Sequence, residues 1–204
     1  SGETFTASWT DGNGKSHTTW LPAVKNTGVS LQVVISGTKR NFFIKTSQSS
    51  ASGLTSLHVI GTMYQQAIFN ITKELKDGVT EGTIPTEALP SGIMTITVFD
   101  NQWKPLAERI TFVNNEEYNF EPQMTVQHWG LNKRAKNEIE IDVPDSLSAN
   151  MSVSVTDLGI DHDTSDNIIS HLLLTSELKG KVNNPTYYFS NNSDSVSQNL
   201  DLVL

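Results

Sequence analysis

The chain contains residue types that carry out catalysis and bind metals, but few stand at the spacings such chemistry needs. Its five histidines are dispersed, apart from His162 and His171, and form neither a His-Glu-x-x-His nor a His-x-His pattern. There is no cysteine, which excludes disulfides, cysteine-ligated zinc, iron–sulfur clusters and thiol nucleophiles. Serines are abundant, so a Ser/His/Asp triad assembled by the fold is left open, although no Gly-x-Ser-x-Gly elbow occurs.

The densest acidic cluster is a short stretch that holds Asp157, Asp161, Asp163 and Asp166. Hard cations such as Ca²⁺ take several carboxylate oxygens, and the spacing of Asp161 and Asp163 superficially resembles a calcium loop. The central glycine and the closing glutamate of an EF-hand are missing, however. We interpret the stretch as an acidic loop that leads into a helix, and expect no metal site and no cofactor.

Calcium at millimolar concentration is therefore not expected to raise the melting temperature. Thermal unfolding with added calcium and with a chelator measures this directly. A rise of several degrees with calcium would contradict the interpretation.

Exposed aromatic rings are the other candidate chemistry, because tryptophan can anchor a protein contact or support a sugar ring. Trp103 lies in a turn between two strand-like segments, and Trp129 lies in the second half of the chain. We take these two residues as the candidate interaction surface. The paired carboxylates Glu138 and Glu140 lie on the polar side of one strand pattern and indicate a solvated face rather than a catalytic cleft.

The elements that position these residues follow a period of two, which is typical of β-strands. Turn signals such as Asp11-Gly12 and Asp77-Gly78 separate the strand-like segments. The clearest segments are residues 29–34, 41–46, 57–64, 66–72, 93–99, 109–113, 139–143 and 151–156. Short strands at this spacing predict an all-β fold of the sandwich type.

One segment, residues 167–178, has helical spacing instead, with apolar residues such as Ile168 and Leu172 four apart. Asp166 or Ser165 can cap its start and Gly180 can end it. We also predict a strand start at 187–189 and a strand at 200–204. A chain that stops within a strand suggests that the natural protein continues.

A polar stretch at 114–118 predicts a boundary between two domains, 1–113 and 114–204. Each is expected to be an immunoglobulin- or fibronectin-like sandwich, the first with seven strands and the second with one short helix and a truncated C-terminal end. The net charge of −8 argues against nucleic acid or anionic lipid as the main partner.

Nothing in the sequence is an apolar run long enough to span a membrane, and Ser1-Gly2-Glu3 does not begin a signal peptide. The protein is therefore cytosolic, or a leader has been removed, or the chain is an excised piece. Abundant Ser and Thr with only 18% charged residues is typical of extracellular and periplasmic β proteins.

Two ordered blocks carry a family resemblance. The strand sequence GIMTITVFD at 92–100 is followed by PLAER at 105–109. About 60 residues later, SVSVTD at 152–157 is followed by NIISHLLLTSELKG at 167–180. The chain, from about Trp20 to its end, thus resembles the macroglobulin-like β-sandwich domains of large envelope proteins of Bacteroidetes.

This resemblance implies consecutive macroglobulin-type sandwiches related to the fibronectin-like modules of α2-macroglobulin, which often precede the plug domain of a TonB-dependent receptor. It implies a periplasmic or outer-membrane location after removal of a leader. The partners would be other domains of the same longer chain or an envelope protein. The thioester of true α2-macroglobulins requires a cysteine, so covalent trapping of proteases cannot reside in this chain.

We therefore expect a non-enzymatic structural or interaction module that presents β-sandwich surfaces for protein contact, without inserting into the membrane itself. One alternative is a carbohydrate-binding β-sandwich module that uses Trp103 or Trp129 as a platform. Others are a fragment of a bacterial α2-macroglobulin-type protease inhibitor and a hydrolase with a hidden site. A coplanar exposed aromatic pair favours the carbohydrate module, and a cleft with perturbed carboxylates favours the hydrolase.

Overall fold

The structure is a computed structural model that describes residues 3–23, 28–47, 54–120, 122–143, 150–155, 157, 159, 165–190 and 193–204. Within these residues, eleven strands form four sheets and the two α-helices are short, so the all-β prediction is confirmed. The chain divides into two compact units. The first comprises Ser1–Leu89, Ile93–Val113 and Leu204, and the second comprises Pro90–Gly92 and Asn114–Val203.

Nine of the strands seen in the described residues belong to the first unit. They are β1 (Thr6–Thr10), β2 (Ser16–Trp20), β3 (Val29–Ser36), β4 (Lys39–Thr46), β5 (Ser56–Met63), β6 (Gln66–Glu74), β7 (Val79–Pro85), β8 (Gly92–Phe99) and β9 (Pro105–Val113). One sheet has the order β3-β4-β7 and another the order β6-β5-β8-β9. A single core cluster draws side chains from both sheets, which therefore face each other. The seven-stranded sandwich predicted for this unit is confirmed.

Strict alternation along the central strands builds this core. In β5, Leu57, Val59 and Met63 are buried while His58 points the other way, as a pleated strand requires. Two of the aromatic side chains lie over glycines directly opposite on the next strand. Phe42 is paired with Gly82 and Phe69 with Gly61, and a Cβ at either glycine would lie within 2.4 Å of the facing ring.

Arg40 links the two sheets from inside the sandwich, with only 4% of its surface exposed. Its Nε donates to Thr111 Oγ1 at 3.2 Å and its Nη2 donates to the Phe112 carbonyl at 2.5 Å. Its Nη1 donates to the carbonyls of Gly37 and Lys39. The guanidinium thus donates hydrogen bonds to backbone carbonyls near the start of β4 and at the end of β9, and it connects these two strands.

The strands β1 and β2 form a separate two-stranded ribbon in which Trp9 lies opposite His17. The two rings are stacked with centroids 5.3 Å apart. His17 Nε2 lies 2.8 Å from Asp11 Oδ2, and this hydrogen bond lowers the pKa of Asp11. Trp9 remains 52% exposed.

The second unit contains β10 (Gln123–His128) and β11 (Glu138–Asp142), which pair as an antiparallel ribbon. The helices α1 (Ile168–Leu173) and α2 (Asp194–Val203) and two short 3₁₀ segments (Thr175–Glu177 and Pro185–Phe189) follow. The α1 helix begins at a capping box in which Asn167 and Ser170 bond each other's backbone amides. It lies inside the range predicted for a helix. The second sandwich predicted for this half of the chain stays a prediction.

Three strand predictions in this half are wrong within the described residues. Residues 200–204 lie mostly in α2, because Val196 and Leu200, four apart, are buried on one helical face. Residues 187–189 form a 3₁₀ segment that begins at Pro185, whose fixed φ suits a helical first turn. Residues 151–155 are assigned to no strand, since alternation alone does not supply a neighbouring strand to pair with.

Glu117 and Ser91 form a polar contact at the start of the second unit. The Ser91 hydroxyl donates to Glu117 Oε2 at 2.6 Å, and the Ser91 amide donates to Oε1. The Asn115 amide in turn donates to the Ser91 hydroxyl at 2.8 Å. Burial raises the pKa of Glu117, but the two hydrogen bonds from Ser91 outweigh it, so this pKa lies below its usual value.

This contact predicts a loss of stability in acid. Because the pKa of Glu117 is lower in the folded state, its contribution is complete above the unfolded-state pKa and is lost as pH falls through the folded-state pKa. Melting temperature measured between pH 7 and pH 3 should therefore fall less steeply for Glu117→Gln than for the wild type. Glu116→Gln is the neighbouring control. Identical acid profiles for the wild type and Glu117→Gln would show that the contact contributes nothing.

Among the residues that the structure describes, no helix is long and apolar enough to cross a membrane.

Candidate functional site

Trp103 lies in the turn that joins β8 to β9. Asp100 organises this turn, because its Oδ1 accepts hydrogen bonds from the amides of Gln102 and Lys104, both at 2.9 Å. The Trp103 amide donates to the Asp100 carbonyl, and the Asp100 amide donates to the Lys104 carbonyl. Trp103 completes the turn with φ of +63°, in the left-handed region that bulky residues rarely adopt.

The turn between β1 and β2 has the same hydrogen-bond pattern with a different residue at this position. Asp11 Oδ1 accepts from the amides of Asn13 and Lys15, and the Gly14 amide donates to the Asp11 carbonyl. The left-handed position is filled by Gly14, with φ of +80°. Glycine adopts this conformation without steric cost, so the two turns share their hydrogen-bond pattern but differ in the steric cost of the residue at the left-handed position.

The Trp103 ring packs back onto the outer face of its own sheet. It stacks on His58 with ring centroids 4.2 Å apart and an angle of 4° between the planes, and it meets Phe99 at 6.0 Å with a tilt of 55°. His58 Nδ1 lies 3.0 Å from Thr72 Oγ1 on the neighbouring strand. Even so, Trp103 is 52% exposed, so the ring is anchored on one side and open to solvent elsewhere.

The pair formed by Trp103 and His58 is a stack, not two rings lying side by side in one plane. A side-by-side pair would offer two neighbouring subsites, whereas this stack offers one.

Trp129 belongs to the second unit and immediately follows β10. It is 65% exposed. The loop beyond it returns tightly, since the Gly130 amide donates to Asn137 Oδ1 at 2.9 Å and a Cβ at Gly130 would lie 2.4 Å from that of Ala135. The loop thereby places Trp129 beside the start of β11.

The β10–β11 ribbon next to Trp129 has one apolar face. Met124 pairs with Ile141 and Val126 with Ile139, so these four side chains share that face. Met124, Val126 and Ile139 are 69%, 45% and 53% exposed. The alternation in the sequence correctly separates a polar from an apolar side, but the apolar side is open where a covered one was expected.

The remaining candidates lie apart or outside the described residues. The described part of the chain holds no group of three or more His, Asp or Glu that could bind a metal ion. His171, in the last turn of α1, has its Nδ1 3.1 Å from Thr175 Oγ1 and 4.0 Å from Asp166 Oδ2. Asp161, His162 and Asp163 lie outside the described residues. The polar face of β11 carries Glu138, which pairs with Lys136 at 2.5 Å.

The sequence does not identify His58 as the ring on which Trp103 stacks, although it does contain a signal for an unusual turn at Trp103. Asp100 and Lys104 have the same separation as Asp11 and Lys15, and Trp103 stands where Gly14 stands. Contact with His58 depends on the sheet order, which places β5 beside β8, and no local pattern specifies that.

Comparison with protein-family models and with curated protein sequences finds no match to this chain, so its function has to be argued from the geometry of these surfaces.

Proposed function

We propose that the protein is a non-enzymatic structural and interaction module of a larger cell-envelope protein, and that it makes protein contacts through its β surfaces. The observation that carries this proposal is the open apolar face of the β10–β11 ribbon, formed by Met124, Val126, Ile139 and Ile141.

An apolar face on so small a sheet has a physical consequence. A lone two-stranded ribbon is only marginally stable in water, because it cannot bury enough apolar surface to offset the ordering of its backbone. Trp129 and Leu131, which follow β10 in the chain, are also exposed. Contiguous apolar surface of this kind marks sites of protein contact. Covering the face would both stabilise the ribbon and create an interface.

The location proposed is the periplasm or the outer membrane. Its support is the resemblance to macroglobulin-like envelope domains together with the Ser/Thr-rich, weakly charged composition. The partner is another domain of a longer chain or a second envelope protein. A β-sandwich followed in the chain by an interaction ribbon suits such a role, because the packed core of the first unit can act as a rigid spacer.

Photo-crosslinking tests this proposal with controls on the same two strands. A photo-reactive amino acid is placed at Val126 or Ile139 on the apolar face, and in separate variants at Thr125 or Glu140, which pair with each other on the opposite face. The variants are expressed in the source organism and irradiated in intact cells. Crosslinked products are then identified by mass spectrometry.

The proposal predicts discrete crosslinks to an envelope protein, or to another domain, from Val126 and Ile139 and not from Thr125 and Glu140. Equal yields from the two faces, or no crosslinks from either, would show that the apolar face is not a contact surface.

A further inference from the structure

We infer that the outer face of the four-stranded sheet carries a binding site for a neutral glycan, centred on Trp103. This site goes beyond the protein contact proposed for the β10–β11 ribbon, and it rests on different residues in the other unit. Trp103 offers an open ring in a fixed orientation, and polar side chains lie beside it.

Trp103 is one of seven non-glycine residues with a positive φ among the residues that the structure describes, and in the similar β1–β2 turn a glycine takes its position. A left-handed conformation is unfavourable for a non-glycine residue, because its Cβ comes too close to the following carbonyl oxygen. The equivalent turn of the same protein avoids this cost with Gly14. Stacking on His58, contact with Phe99 and partial burial of the Trp103 ring offset this cost. Strained residues of this kind are concentrated at ligand sites.

The open ring provides the apolar half of a sugar site. The face of an aromatic ring carries partial negative charge and attracts the partly positive C–H groups that line one side of a pyranose ring. His58 and Phe99 hold the Trp103 ring in one orientation, so little side-chain freedom is lost when a ligand binds.

Polar side chains beside the ring provide the hydrogen-bonding half. Strand register places Thr72, His58 and Phe99 in one row across β6, β5 and β8. In the next row, about 7 Å further along the strands, Asn70 and Thr97 flank the apolar side chain of Ile60. Thr97 Oγ1 donates to Glu108 Oε2 at 3.0 Å. Hydroxyl, amide and carboxylate groups thus line a surface that leads away from Trp103, which suits a polyhydroxylated chain.

The charge distribution favours a neutral ligand. Residues 1–113 carry nine Lys and Arg against eight Asp and Glu, whereas residues 114–204 carry five against fourteen. The acidic excess of the protein therefore belongs to the second part of the sequence. The near balance of charge over residues 1–113 gives no strong long-range attraction for an anionic or a cationic polymer.

Affinity electrophoresis of the whole chain tests the inference. The probes are soluble neutral polysaccharides, namely a β-glucan, a xylan, a mannan and an α-glucan, with polygalacturonate as the anionic comparison. The principal variant is Trp103→Gly, which converts this turn to the type found at Gly14. Trp9→Ala is the matched control, because Trp9 is also 52% exposed and stacked on a histidine.

The expected result is retardation of the wild type by at least one neutral polysaccharide and not by polygalacturonate. Trp103→Gly should weaken that binding by about tenfold or more while its melting temperature changes by only a few degrees. Trp9→Ala should bind as the wild type does.

Several results would overturn the glycan site. They are no retardation by any neutral polysaccharide, unchanged binding by Trp103→Gly, and an equal loss in Trp9→Ala. Trp103→Gly should leave the crosslinks from Val126 intact, so failure of the glycan site is distinguishable from failure of the proposed protein contact.

Discussion

Replacing Phe42 with alanine is expected to lower the free energy of unfolding of the first unit by about 3–5 kcal/mol. Phe42 is fully buried, and its ring lies over Gly82 on β7, the neighbouring strand of the same sheet. Removing the ring forfeits its transfer free energy and leaves a cavity that the glycine cannot fill. Because small domains are stable by only about 5–15 kcal/mol, this is a large part of the total.

Denaturant unfolding followed by far-UV circular dichroism measures this change. Phe43→Ala is the matched control, because Phe43 is the next residue of β4 and its side chain faces solvent. Its expected cost is below about 1 kcal/mol. Similar costs for the two variants would contradict the assignment of the two faces of β4.

Replacing Arg40 with methionine is expected to cost about 3 kcal/mol. Methionine keeps much of the volume but donates no hydrogen bond, so it removes the bonds that the guanidinium makes to Thr111 and to the carbonyl of Phe112. Arg40→Lys should recover only part of the loss, since an ammonium group cannot reproduce the planar fork that reaches both sheets.

Lys45→Met is the control for Arg40→Met, because Lys45 lies on the same strand and is exposed. It should change stability by no more than about 0.5 kcal/mol. Comparable losses in the two variants, or full recovery with lysine, would mean that the bridging geometry of Arg40 is unimportant.

The sequence predicts the first unit better than the second, for a physical reason. In the sandwich, central strands such as β5 have neighbours on both sides, so alternating side chains and pairing partners agree. In the second unit, residues 151–155 alternate as a strand would but are assigned to none. Period-two alternation describes which side chains prefer burial, and it does not say what covers them.

The C-terminal segment shows a related ambiguity. Leu200, Leu202 and Leu204 alternate, which favours a strand, but Val196 and Leu200 are also four apart, which favours a helix. In the structure this segment is helical, as the four-residue spacing favours, and Leu202 is exposed on α2. For apolar runs this short, the sequence supports both interpretations.

At the candidate sites, too, local sequence predicts some features, whereas others depend on contacts between distant parts of the chain. Trp103 and Trp129 could be selected from the sequence, because a tryptophan in a polar turn is conspicuous, and both are exposed. The stacking of His58 beneath Trp103 and the open apolar face beside Trp129 depend on strand order and on what packs nearby.

The central claim is that the β10–β11 ribbon binds a partner through its apolar face. Amide hydrogen exchange tests this claim most directly. In the isolated chain, the amides of β10 and β11 should exchange much faster than those of β5 and β8 in the core of the sandwich. In the assembly captured by crosslinking at Val126, exchange in the ribbon should slow by about tenfold or more, with β5 and β8 unchanged. Protection of the ribbon equal to that of β5 and β8 in the isolated chain, or no slowing in the assembly, would contradict the account.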